Sequence, residues 1–194
     1  MSGGEGYDES DKRILGYARK QIAEYKEEDP QMLFCISRSK NKNLVAYEVN
    51  LVKDNSGAYV QTDGKYVINE SDPVNSYWIT GEESYIEDNN KNGVDNRRSD
   101  LNFIERTMAY GISAKKNKDG NYEASIVPVS KALQISIGPN GRPTARGVLN
   151  GKECTITMLF VKSQERTFLP PKCIYVDVYG VTDDGEEVIE RLLP

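Results

Sequence analysis

The feature that most constrains this chain is a change of hydrophobic period at Pro30. Before it, Ile14, Ala18, Ile22 and Tyr25 recur at helical spacing, one stripe of a 3.6-residue period, which predicts an amphipathic helix. Lys12, Arg13, Lys20, Lys26 and Glu27 fall on the opposite face. Asp8 or Ser10 supplies an N-terminal cap. Pro30 ends the helix, because the residue before a proline is pushed to extended geometry. After Pro30 the period is two almost to the end of the chain. An apolar run at 32–37 is followed by a polar turn from Arg38 to Asn43. Val45, Tyr47, Val49 and Leu51 then alternate with Ala46, Glu48 and Asn50, the pattern of a half-buried strand paired with the first run.

Further strands are expected at 74–80, 124–129, 132–137, 146–149, 153–161, 174–179 and 187–193. Asn150-Gly151 is the strongest hairpin signal, since Asn-Gly suits a type I′ turn. Residues 162–171, ending in Pro170-Pro171, read as a connection between strands. A short helix is expected at 101–109, with Leu101, Ile104 and Met108 on one face and Gly111 as its C-terminal cap. The expected fold is therefore mostly β: a single antiparallel β-barrel or sandwich of about ten short strands. To it are added the N-terminal helix and one short internal helix. Residues 1–9 read as a flexible tail, 10–29 as the helix and 30–194 as one β-rich domain. No repeat or shift of composition marks a second one.

Composition narrows the chemistry. The chain has no histidine, which removes Ser-His-Asp and Cys-His nucleophile systems and HExxH metal sites. Cys35, Cys154 and Cys173 show no CxxC spacing and read as reduced, buried thiols rather than zinc ligands. A net charge of −5, from 25 basic and 30 acidic residues, argues against nucleic acid, whose binders carry basic stripes that neutralise phosphate. The densest basic spots, Arg97-Arg98 and Lys115, Lys116 and Lys118, lie in turn-like segments. There is no apolar run of roughly 18 residues, hence no membrane span. The acidic, Gly-rich start lacks the pattern of a signal peptide, so a cytoplasmic protein is expected. Neither a GxGxxG nor a P-loop is present, and no cofactor is implied.

Two constellations remain. Asp88, Asn90, Asn92 and Gly93 resemble the first half of an EF-hand loop. Ser99 stands where that loop needs a bidentate Glu, so the segment reads as a turn and no metal is assigned. The ligand-binding candidates are Arg38, Lys40 and Asn41 in the first hairpin turn, Tyr77 and Trp78 in a middle strand, and Glu105, Arg106 and Tyr110 at the short helix. Aromatic rings, arginine and a carboxylate build polar ligand pockets. They also build structural ion pairs beside a half-buried Trp. No catalytic residue is assigned.

Four segments in order carry a resemblance: LFCISRSKNKNLVAYEVN from Leu33, VNSYWI from Val74, IERTMAYG from Ile104 and IYVDVYG from Ile174. Together they resemble an uncharacterised single-domain family of the "domain of unknown function" class, found in bacteria and unicellular eukaryotes. The resemblance covers residues 31–191. It implies one β-rich domain and no established activity. Bacterial relatives tend to be exported, which the start of this chain does not suggest. The positions it marks are Arg38, Lys40, Asn41, Asn43, Tyr77, Trp78, Glu105, Arg106 and Tyr110.

The expected function is a non-enzymatic binding module for a small molecule or peptide. Trp78 and Tyr77 would form an apolar wall, with Arg38 or Arg106 as anion anchor. The alternative is a structural or assembly protein that meets a protein partner through residues 11–26 and its sheet edges. A third reading is a His-free enzyme with Glu105 as acid/base beside Arg106.

Overall fold

The helix forms where its stripe and cap place it. In the computed structural model, which describes residues 1–81 and 97–194, α1 spans Glu9–Glu28. Asp8 Oδ1 accepts from the Asp11 N–H at 2.8 Å, and Asp11 Oδ2 accepts from the Asp8 N–H at 3.2 Å, a reciprocal cap. Lys162 Nζ reaches both carboxylates, at 3.3 and 2.6 Å. At the other end the Arg142 guanidinium donates to the Lys26 carbonyl at 3.0 Å, a cation at the negative pole of the helix. Ile14, Leu15, Ala18 and Ile22 are buried against the sheet. The apolar stripe, which the assembly alternative offered to a partner through residues 11–26, is thus covered by the chain itself. The calcium-like turn with Asp88, Asn90, Asn92 and Gly93 lies outside the described residues.

The rest is strand: β1 (Met32–Arg38), β2 (Asn41–Val49), β3 (Gln61–Thr62), β4 (Lys65–Tyr66), β5 (Val74–Ile79), β6 (Arg98–Asp100), β7 (Ile112–Lys116), β8 (Tyr122–Ile126), β9 (Val129–Ile137), β10 (Pro143–Leu149), β11 (Lys152–Arg166), β12 (Leu169–Val181) and β13 (Glu187–Leu192). β3 and β4 pair only with each other. The other eleven form one sheet in the order β6-β5-β2-β1-β11-β10-β9-β8-β7, with β12 on the far side of β11 and β13 beyond it. Two expectations need correction. The sheet is mixed, because β1 runs parallel to β11 from Cys35↔Met158 to Arg38↔Val161. Nor does it close into a barrel among the described residues: β5 and β7 lie against each other without pairing. The result is one large mixed sheet that rolls on itself.

Rolling gives the sheet two apolar layers. Phe34, Ile36, Val45, Tyr47 and Val49 face inward and meet Leu133, Ile135, Leu149 and Ile156 from the far half. Phe34 and Tyr47 stack at 4.9 Å between centroids, worth roughly 0.5–1.5 kcal/mol beyond the area they bury. Cys35, Leu44, Ala46, Tyr77 and Phe160 face outward, beneath α1. β2 is therefore buried on both faces from Leu44 to Val49, not half-buried as its alternation suggests. Cys35 lies in that outer layer, and burial pushes its thiol up to about 12. Asn150 and Gly151 both have positive φ, 49° and 79°, as the Asn-Gly hairpin requires.

Residues 1–9, read as a flexible tail, are tied down: residues 1–3 run along β13 and Glu9 opens α1. The Gly3 N–H donates to the Ile189 carbonyl at 2.9 Å and the Arg191 N–H to the Met1 carbonyl at 2.8 Å. Asp177, fully buried on β12, gathers them in. Its Oδ2 accepts from the Gly4 N–H at 3.0 Å and the Tyr7 hydroxyl at 2.5 Å, while Arg191 bridges both oxygens at 2.8 and 2.9 Å. Burial alone would raise this carboxyl. The donors from Arg191, Tyr7 and Gly4 outweigh it and hold the pKa below its ordinary value.

Two segments depart from expectation near the site. Residues 162–171 are no connection but the outer half of the β11–β12 hairpin, paired as far as Arg166↔Leu169, with Phe168 fully exposed at its tip. The expected helix at 101–109 is a short helical turn from Phe103, widened to π geometry over Glu105–Tyr110. Leu101 is buried, but Ile104 and Met108 point outward. Gly111 closes this turn, because a Cβ there would sit 1.8 Å from the Arg106 carbonyl oxygen.

Candidate functional site

β1 and β2 are joined by a two-residue turn, Ser39 and Lys40, between the paired residues Arg38 and Asn41. Lys40 takes the left-handed conformation, φ 58°. The turn is bolted to β11. The Ser39 N–H donates to the Val161 carbonyl at 3.0 Å, and the Ser163 N–H donates to the Ser39 hydroxyl at 2.9 Å. A shift of register between Lys162 and Ser163 sets this local geometry. Ser163 and Glu165 of β11, Cys173 of β12 and Tyr110 of the π turn complete the walls of a cavity of about 330 Å³ with Arg38, Lys40 and Asn41. Its size lies at the low end for small-molecule pockets.

Arg38 is its chemical centre. The guanidinium carbon lies 4.6 Å from the Trp78 ring centroid and 5.8 Å from that of Tyr110. The two rings meet edge to face, 5.5 Å apart and inclined at 75°. Trp78 is held by its indole N–H, which donates to Glu105 Oε2 at 3.1 Å. Glu105 Oε1 accepts from the Asn102 N–H at 2.9 Å, while Asn102 Oδ1 accepts from the Glu105 N–H at 2.8 Å, so Glu105 caps its own turn. The Tyr110 carbonyl accepts from the buried Tyr47 hydroxyl at 2.8 Å. Around Arg38, then, every support is fixed. The guanidinium itself is not matched: Arg38 and Lys40 make no ion pair among the described residues, and the buried Nε–H of Arg38 meets no acceptor. Cation–π contact of this kind is worth about 0.5–2 kcal/mol. It leaves the outer N–H groups without a carboxylate to bind.

Of the candidates named from sequence, Arg38, Lys40, Asn41 and Tyr110 line the cavity, with Trp78 and Glu105 packed behind Arg38. Two are placed elsewhere. Tyr77 follows the period of its strand to the opposite face, where it is buried beneath α1 with the Arg98 guanidinium 3.7 Å from its ring centroid. Arg106 is exposed and donates through Nε to the Leu101 carbonyl at 3.1 Å. Asn43 braces the segment just past β5, its Oδ1 accepting from the Gly81 N–H at 2.8 Å. Ser39, Ser163, Glu165 and Cys173 were not singled out as ligand residues by the sequence. Cys173, expected to be buried, is half-buried at the cavity wall, and desolvation raises its thiol pKa. No cluster of three His, Cys, Asp or Glu able to hold a metal occurs among the described residues. No described helix is long and apolar enough to cross a membrane.

A family described as a domain of unknown function (DUF4833) matches residues 34–191, and the chain belongs to that family. No curated protein and no solved structure matches it.

Proposed function

We propose that this member of the DUF4833 family is a non-enzymatic binding module for a small anionic molecule. One observation carries the reading: Arg38 lies over the Trp78–Tyr110 ring pair at a cavity wall, with no carboxylate partner among the described residues. A structural arginine at this depth is ordinarily paired. One held rigidly but left unpaired is preorganised for an incoming carboxylate or phosphate. Arg38 is the anion anchor. Lys40 and Asn41 form the rim, and Tyr110 forms a wall. Glu105 is no free acid/base in this reading, because both its oxygens accept hydrogen bonds that hold the turn.

The test is calorimetric titration with acetate, citrate and inorganic phosphate against wild type, Arg38→Met and Trp78→Ala. We expect at least one of these anions to bind wild type and to weaken about tenfold or more in Arg38→Met, the scale of one charge-assisted hydrogen bond. Variants that bind every anion as wild type does would sink the assignment.

The assembly reading has a separate support. Phe103, Ile104, Met108 and Phe168 are largely exposed, and exposed apolar patches mark contact surfaces. It predicts a concentration-dependent mass in sedimentation, which Phe168→Ser would abolish.

A further inference from the structure

The cavity at Arg38 does not end at Tyr110. A second and larger hollow, about 710 Å³, abuts it and shares four wall residues, Tyr110, Val161, Pro171 and Cys173. It runs between the π turn, the β8–β9 turn, the β11–β12 hairpin and the C-terminal residues. Its character is different. Met108, Val127, Val176, Leu192 and Leu193 line it. Met108, Val127 and Leu193 are exposed by 75, 47 and 59%, so apolar surface is open to solvent along its length. Pro128, Pro170, Pro171 and Pro194 also line it. A proline has no N–H, so these wall positions offer an extended peptide no main-chain donors. A cationic compartment that opens onto an apolar trough poor in donors has the layout of a head-and-tail site.

We propose that the ligand is a single-chain alkyl carboxylate, its head at Arg38 and its chain along this trough. The inference rests on the binding reading above and names its ligand class. The charges favour a monoanion. Arg38 and Lys40 share the cavity lining with one carboxylate, Glu165, which leaves a formal surplus of one positive charge. A dianionic phosphate head would overcompensate that surplus and crowd Glu165. The trough favours an alkyl chain over a peptide, because what it supplies is apolar contact and not a row of hydrogen bonds.

The experiment is calorimetric titration of the full chain with butanoate, hexanoate, octanoate, decanoate and dodecanoate, each below its aggregation threshold. Methyl decanoate serves as the uncharged control, and acetate, citrate and phosphate as anions without a chain. Affinity should rise roughly fourfold per added methylene until the trough is filled. Arg38→Met should weaken every chain length about tenfold or more, and methyl decanoate should lose as much relative to decanoate. Val127→Asp, at an exposed position in the trough, should flatten the dependence on length.

Binding that is independent of chain length but sensitive to Arg38→Met overturns the inference and leaves the small-anion reading standing. Citrate or phosphate binding in preference to every alkanoate has the same meaning. Binding that rises with length but is equal for the ester and the acid, and indifferent to Arg38→Met, overturns both. So does the absence of binding by any of these probes. The ester comparison needs no variant, so the test holds even if Arg38→Met fails to fold.

Discussion

Asp177 and Arg38 sit on the same sheet, and the fold treats them in opposite ways. The carboxylate of Asp177 is fully buried and accepts from Gly4, Tyr7 and both ends of the Arg191 fork. The guanidinium of Arg38 has two aromatic rings for company, a buried Nε–H without an acceptor, and no ion pair among the described residues. The first is a closed polar cluster whose members satisfy one another, so it has nothing left to offer a ligand. The second is rigid yet open. A buried charge that is fully paired speaks of architecture. A held charge that is unpaired speaks of something meant to arrive.

The largest effect should come from breaking the closed cluster. Asp177→Ala leaves Arg191 and Tyr7 without their acceptor and should cost about 3–5 kcal/mol in urea unfolding, the scale of a buried ion pair that loses one partner. A loss below about 1 kcal/mol would mean that the cluster is not structural. Acid sharpens the same point. The folded-state pKa of Asp177 is lowered from 3.8, so its contribution is full above that value and is lost as the pH falls through the folded-state value. Thermal melts should therefore show the gap between wild type and Asp177→Asn narrowing below about pH 4.

Arg38→Met should do the reverse. Stability should move by less than about 1 kcal/mol, since the lost cation–π contact is offset by removal of a buried N–H donor that has no acceptor, and no ion pair is broken. Anion binding should weaken about ten- to a hundredfold. If stability instead falls as it does for Asp177→Ala, the contrast between the two clusters collapses. Tyr7→Phe deletes one hydroxyl from the closed cluster and should cost about 1 kcal/mol in urea unfolding. Glu105→Gln is the smallest change. Its one amide oxygen can accept from the Trp78 indole or from the Asn102 N–H but not from both, so stability should fall by about 0.5–1 kcal/mol in the same measurement.

Much of the frame could be read from the residues, because the signals were local. The stripe of Ile14, Ala18 and Ile22 placed α1, and Asn150-Gly151 placed a hairpin. Pairing over long range could not be read this way. Alternation at Val45, Tyr47 and Val49 reports one apolar face of β2 and is silent on α1 covering the other. The outer half of the β11–β12 hairpin was hidden by Pro170 and Pro171. Prolines are tolerated there because β12 pairs with β13 only from Val176 onward, which leaves the segment an edge. Half the site was legible in the polar turn from Arg38 to Asn41. The other half, Ser163, Glu165 and Cys173, reaches Arg38 through a parallel pairing that no local pattern announces. The period of β5 already separates Tyr77 from Trp78, since neighbours on a strand face opposite ways.

That parallel pairing has a consequence for how the molecule assembles. β6-β5-β2-β1 on one side and the remaining strands on the other meet strand to strand only from Cys35 to Arg38 against Met158 to Val161. A hairpin such as β10–β11 closes a short loop, whereas this seam joins residues such as Ser39 and Ser163, 124 positions apart, and so carries a larger loop-closure entropy than such a hairpin. The cavity straddles the seam, with Arg38 on one bank and Cys173 on the other. A molecule bound there is a staple across the joint, and it would slow the chain's unfolding more than it speeds its folding.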